Sequence, residues 1–276
     1  MKKHKICKIL LVILAIFLCV AFYELIGICV AYKKQPEVSN TTKKETKNGS
    51  WNECSENTER AVIIEKNPEA LLQRVRLIKN AKKEIILSTF AFQSDESGKL
   101  ILGALHDAAD RGVHIRLLVD GMESWIDMEG NPYFYGLSSH ENVEIKLYNK
   151  ANPLKPWKMM GRMHDKYLIA DGKRYILGGR NTYNYFLGDF PGHKNYDRDV
   201  LVVCDEPEKE NSVNQLLEYF ETIWEQEDSG YFHDNKKLAN RKSVKNAVLE
   251  LQNSYQKYFE ENKERICETD YADETF

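Results

Sequence analysis

From His164 to Asn181 the chain reads HDKYLIADGKRYILGGRN, and this segment restricts the fold more than any other. Asp171-Gly172 sits between two short apolar runs, Lys166 to Ala170 and Arg174 to Leu177. That is the signature of a tight hairpin, whose central residues take positive φ. Side chains alternate along a strand, so His164 and Lys166 share a face, and the returning strand brings Gly178 and Gly179 beside them. The pattern is H-x-K, four residues, D, six residues, G-G-x-N. A chance match somewhere in the chain has a probability on the order of 10⁻⁶ at ordinary residue usage. Its chemistry points to a phosphate. Paired glycines let a phosphate approach backbone N–H groups, and Lys166 and Asn181 offer donors to its non-bridging oxygens. An imidazole there can attack phosphorus while the ammonium and amide stabilise the charge that develops. This chemistry needs no metal, and the segment carries no carboxylate cluster of the kind that holds Mg²⁺.

Around the hairpin, apolar periodicity predicts alternating strands and helices. Asn67-Pro68 reads as an N-cap with Pro at N1, followed by Ala70, Leu71, Val75 and Ile78 at helical spacing. Glu84 to Phe92, Val113 to Val119, Val143 to Tyr148 and Asp199 to Val203 have strand length. Helical patterns run from Leu100 to Ala108, closing at Arg111-Gly112, and from Val213 to Trp224. Strands separated by helices imply an α/β domain with a mixed, mostly parallel sheet flanked by helices, over residues 61–226. Residues 227–276 read as a helical linker followed by an acidic tail.

Before the body stands an apolar run from Ile9 to Tyr32 with one charge, Glu24. As a helix it covers roughly 36 Å, enough for one crossing of a hydrocarbon core of about 30 Å. Residues 1–8 form a basic tail, 9–32 a transmembrane helix and 33–60 a polar tether. A cleaved signal peptide is the rival, but the run is long for one and no A-x-A site follows. Lysines on both flanks leave the side of the body open. The body is otherwise ordinary. Lys plus Arg number 39 against 42 Asp plus Glu, a net charge of −3 that argues against a nucleic-acid partner. Cys54, Cys204 and Cys267 show no metal-ligand spacing; they read as free thiols, with one disulfide possible if the body lies outside the cell. Trp125, Tyr133, Phe134 and Tyr135 suit either a lipid-contacting loop or plain packing. PLKPWKMMGR, from Pro153 to Arg162, suits a basic amphipathic lip or a plain loop.

The segment from His164 to Asn181 resembles the HKD motif of the phospholipase D superfamily. STFAF, AADRGVHIRLLVDG, Tyr185-Phe186, DRDV and Phe220 with Trp224 extend the resemblance to the N-terminal half of bacterial cardiolipin synthases, nearest the C-type branch. The resemblance implies a phosphatidyltransferase with no cofactor, acting on a membrane phospholipid such as phosphatidylglycerol. It makes His164 the nucleophile or the general acid, and Lys166 and Asn181 phosphate ligands beside Gly178 and Gly179. Asp197, in preference to Asp199, becomes the carboxylate that orients His164. Asp171 completes the motif, away from the phosphate. In that family two such halves build one site, whereas this chain carries one motif. His4, His106, His114, His140, His193 and His233 open no second H-x-K. The expectation is therefore a homodimer, or one half of a longer enzyme. A dimeric phosphodiesterase or nuclease, a phospholipase D hydrolase and a catalytically silent half are the alternatives.

Overall fold

A computed structural model describes residues 2–33, 40, 43–44, 59–204, 206, 211–233 and 235–271. Most of the expected tether, the end of the acidic tail and Cys54 lie outside the described residues. The chain forms two compact units: residues 1–55 with 151–162, and residues 56–150 with 163–276.

In the first unit, α1 (Lys2–Lys33) is a helix long and apolar enough to cross a membrane. The expected lip packs on it. Tyr23 Oη donates to the Leu154 carbonyl at 2.9 Å, and a Cβ on Gly27 would lie 2.4 Å from the Pro156 ring.

The second unit is built on an eight-stranded sheet in the order β1-β7-β6-β5-β2-β3-β4-β8. The strands are β1 (Glu59–Ile64), β2 (Glu84–Thr89), β3 (His114–Asp120), β4 (Val143–Tyr148), β5 (Lys166–Ala170), β6 (Arg174–Gly178), β7 (Asp199–Cys204) and β8 (Ser229–Tyr231). Mixed α/β architecture is as expected, but the sheet is not mostly parallel. Among the described strands only β2–β3 and β3–β4 pair in parallel; the other strand pairings are antiparallel. The physical reason lies in the connections. Helices also follow β1 and β7, but only β2, β3 and β4 are joined by helices and lie side by side; the chain then returns through the β5–β6 hairpin, which can only pair antiparallel.

Helices α2 (Asn67–Asn80), α3 (Glu96–Asp110) and α5 (Pro132–Ser138) cover one face of the sheet, while α6 (Ser212–Trp224) covers the other. Between β3 and α5 lies a short helix, α4 (Gly121–Asp127). Asp95, Asp120, Asn131 and Asn211 cap α3 to α6, each side chain accepting from backbone N–H groups of the first turn. Asn67 does not cap α2. The cap position is Lys66 without a side-chain bond, and Asn67 is buried, its amide donating to the Asn195 carbonyl.

The region expected as a linker is part of the body. β8 extends the sheet beyond β4, and α7 (Lys242–Glu261) lies across α3 and α5. Gly103 permits that approach, since a Cβ there would meet the Leu251 carbonyl oxygen at 2.7 Å. A short α8 (Lys263–Cys267) then packs on α2. Leu251, on the inner side of α7, is fully buried. Leu251→Ala is expected to destabilise the body by about 2–5 kcal/mol in urea unfolding. A change within about 0.5 kcal/mol is what a solvated linker would show instead.

Candidate active site

The strand order sets the site. β2 and β3 run one way, β5 the other, and β6 returns, so one edge of the sheet gathers the end of β2, the start of β5, the end of β6 and the start of β7. Phe90, His164, Lys166, Gly178, Gly179, Asn181 and Asp197 all fall there.

Lys166 opens β5, paired with Thr89 of β2, and is buried. Its ammonium reaches back two residues, donating to the His164 carbonyl at 2.7 Å and lying 3.1 Å from His164 Nδ1. Burial pushes its pKa below the ordinary lysine range, against the pull of Asp165 and Asp197. The His164 ring is exposed and lies 4.6 Å from the Phe90 ring, centroid to centroid. Lys166 Nζ stands 5.5 Å over that same ring. Asn181 is buried and fixed by one hydrogen bond, Oδ1 accepting from Ala91 N at 3.2 Å. That polarity leaves the Nδ2 group, a pure donor, for a ligand. Between His164 and Lys166, Asp165 accepts from Tyr219 Oη at 2.8 Å; burial and that carboxylate push the Tyr219 phenol up to about 12.

The structure shows what surrounds the two glycines. A Cβ on Gly178 would lie 2.0 Å from Asp199 Oδ1, and one on Gly179 would lie 2.0 Å from Asp197 Oδ2. Gly179 N–H is already given to the Arg198 carbonyl. Their missing side chains therefore make room for two carboxylates at the mouth of β6.

Those carboxylates part company. Asp197 is half-buried, its Oδ1 accepting from Arg198 N, and no hydrogen bond joins it to His164. Asp199 is wholly buried: Arg74 donates to its Oδ2 at 2.9 Å, and Arg180 Nη1 stands 3.3 Å from the same oxygen. Arg180, inside GGRN, also donates to the Ile64 and Glu65 carbonyls and to Asn67 Oδ1. The Arg74–Asp199–Arg180 cluster thus ties the residue between Gly179 and Asn181 to α2 and to the start of β7.

Asp171 stands at the opposite end of the hairpin. It and Gly172 take φ of 56° and 61°, as the turn requires, and its carboxylate accepts from the N–H groups of Lys82, Lys83 and Glu84. It thereby ties the hairpin to the start of β2, remote from His164.

Sequence reasoning missed Phe90, Asp120 and the two arginines. Asp120 is buried; besides capping α4 through Oδ1, it accepts from Met163 N through Oδ2 at 3.1 Å, so it fixes the residue before His164. No pattern in one sequence pairs residues so far apart. Arg180 alone carried a signal, an arginine between two glycines and an asparagine inside the motif. Of the aromatics flagged together, Phe134 and Tyr135 are core residues, whereas Trp125 is exposed. Cys204 is buried and Cys267 exposed, neither in a disulfide.

Comparison with known proteins gives a consistent picture. Residues 74–224 match the family described as "Cardiolipin synthase, PLD-like domain". An uncharacterized protein of Helicobacter pylori strain J99 is 30% identical over 212 residues, 71% of this chain and 39% of its own length. Cardiolipin synthase C of Escherichia coli K12 is 29% identical over 171 residues, 57% of this chain and 34% of its own length. The chain thus spans well under half the length of the curated relatives it matches. Among solved structures, phosphatidylserine synthase of Haemophilus influenzae Rd KW20 shares the fold, with a TM-score of 0.50 at 17% identity over 72% of this chain and 44% of that one.

Proposed function

Because the chain belongs to the phospholipase D-like family of cardiolipin synthase type, we propose that it is a membrane-anchored phosphatidyltransferase, with His164 as its nucleophile and phosphatidylglycerol as its substrate. The observation that carries this reading is the convergence of an exposed imidazole, a buried ammonium and a free amide donor at one sheet edge. Helix α1 is the anchor.

An ammonium has no lone pair, so Lys166 Nζ must donate to His164 Nδ1. The ring proton of a neutral imidazole then sits on Nε2, so the ring must change tautomer before that nitrogen can attack. A phosphodiester arriving between Lys166 and Asn181 draws the ammonium to its own oxygens. Nδ1 then takes the ring proton, with Asp197 the carboxylate that holds it, and the Nε2 lone pair attacks phosphorus. The P–O bond to the departing glycerol breaks, and a second acid supplies that oxygen with its proton. The phosphatidyl–histidine is next attacked by the head-group hydroxyl of a second phosphatidylglycerol. That hydroxyl proton passes to the same acid, now a base, and the P–N bond breaks. Cardiolipin and glycerol are the products.

One motif supplies one imidazole, so the acid comes from a second half: His164 of another copy, or a half beyond this chain. A two-fold dimer gives each site both histidines, and this is the commonest oligomer symmetry.

The test is incubation of the detergent-solubilised chain with labelled phosphatidylglycerol, followed by separation of the lipids. Cardiolipin is the expected product, undiminished by a chelator because cationic and amide donors replace a metal. Phosphatidic acid instead makes the chain a hydrolase; no turnover leaves it a half that needs its partner.

A further inference from the structure

The sheet edge that carries the site also carries exposed apolar side chains, on both sides of it. α4 leaves the end of β3 and displays Trp125 at 66% and Ile126 at 70% exposure. Tyr196, 79% exposed, stands just before β7. Along the edge the order is β7, β6, β5, β2, β3, so the hairpin and Phe90 lie between these two points. At about 4.8 Å per strand, β7 and β3 are roughly 19 Å apart.

Both points adjoin residues of the site, α4 through its cap and Tyr196 within the irregular segment that leads into β7. Asp120 caps α4 and holds Met163, which joins the base of Trp125 and Ile126 to the residue before His164. Tyr196 adjoins Asp197, whose carboxylate fills the space above Gly179. An exposed tryptophan beside an exposed isoleucine costs solvation and contributes nothing to the core; such pairs suit the boundary of a lipid layer. The chain also leaves the body at Lys150 and re-enters it at Met163, and the residues between belong to the unit of α1.

We propose that Trp125, Ile126 and Tyr196 dock this edge of the body on a phospholipid surface, so that the site takes its lipid from the bilayer. The inference deepens the phosphatidyltransferase reading and rests on it for the substrate, while the docking itself is tested without turnover.

The full chain is reconstituted in vesicles of phosphatidylglycerol and phosphatidylcholine, with and without brominated acyl chains. Bromine is expected to quench the part of the tryptophan emission that Trp125→Phe removes. Equal quenching in the parent and in Trp125→Phe overturns the proposal. In a second arm, the Trp125→Gln, Ile126→Gln, Tyr196→Ser variant is given bilayer phosphatidylglycerol or a monomeric short-chain analogue. Transfer from the bilayer is expected to fall about tenfold or more, as loss of large buried apolar area implies, with the monomeric lipid unaffected. Equal loss on both lipids, or loss of a dimer without a change in quenching, overturns it in favour of a structural or subunit-contact role. If the parent turns over neither lipid, the chain by itself is not a transferase, and quenching alone still decides the docking.

Discussion

His164→Ala is expected to lower phosphatidyl transfer by a factor on the order of 10³ or more while leaving the fold intact. The size follows from what the ring does. A covalent intermediate needs a nucleophile, and no neighbouring group can replace it: Lys166 is held as an ammonium donor and Asn181 has no basic nitrogen. The intact fold follows from exposure. The imidazole touches the Phe90 ring and the Lys166 ammonium and contributes nothing to either core cluster. Unfolding free energy should therefore stay within about 0.5 kcal/mol of the parent. Labelled cardiolipin measured beside a urea titration checks both. Activity within a few-fold of the parent, with a stable fold, contradicts the assignment.

Asp199→Ala reverses that pattern. Its carboxylate is fully buried between Arg74 and Arg180, and both guanidiniums stay behind when it is removed. Breaking a buried ion pair from one side costs about 3–5 kcal/mol, because the partner charge is left without compensation. Here two cations remain, and Arg180 is already disfavoured by burial, with the Asp199 charge opposing that effect. The expected result is a loss of that size in urea unfolding, with partial recovery when Arg74→Met is added. Asp197→Ala, two residues away and half-buried, should move stability by less than about 1 kcal/mol while reducing transfer. If the two aspartates behave alike, the division between a supporting and a site carboxylate is wrong.

The hairpin was legible because its turn chemistry is local. Asp-Gly fixes the positive φ pair, strand alternation then places His164 with Lys166, and the structure realises both. The helices were legible from their period, and the α/β class followed. Strand direction was not. The βαβ units from Glu84 to Tyr148 give the parallel part, but the antiparallel pairings of β1 with β7 and of β4 with β8 join segments far apart in the chain. The role of 227–276 was hidden for a different reason. α7 buries a narrow stripe, Val244, Ala247, Leu251, Tyr255 and Phe259, within a polar sequence, and what that stripe packs against lies far back in the chain. The glycines show how spacing alone misleads. It correctly located the positions that tolerate no side chain, yet the close neighbours are Asp197 and Asp199. Burial of Asp199 by Arg74 and Arg180 likewise depends on contacts that no local pattern records.

Every step above passes through a phosphorus–nitrogen bond at His164. Quenching the chain in denaturant at neutral pH during turnover of phosphatidylglycerol, followed by mass spectrometry of its peptides, reads that bond directly. The peptide containing His164 is expected to carry the added mass of one phosphatidyl group, kept at neutral pH, lost in acid, and absent from His164→Ala. Sustained cardiolipin formation without that adduct, or an adduct on another residue, contradicts it.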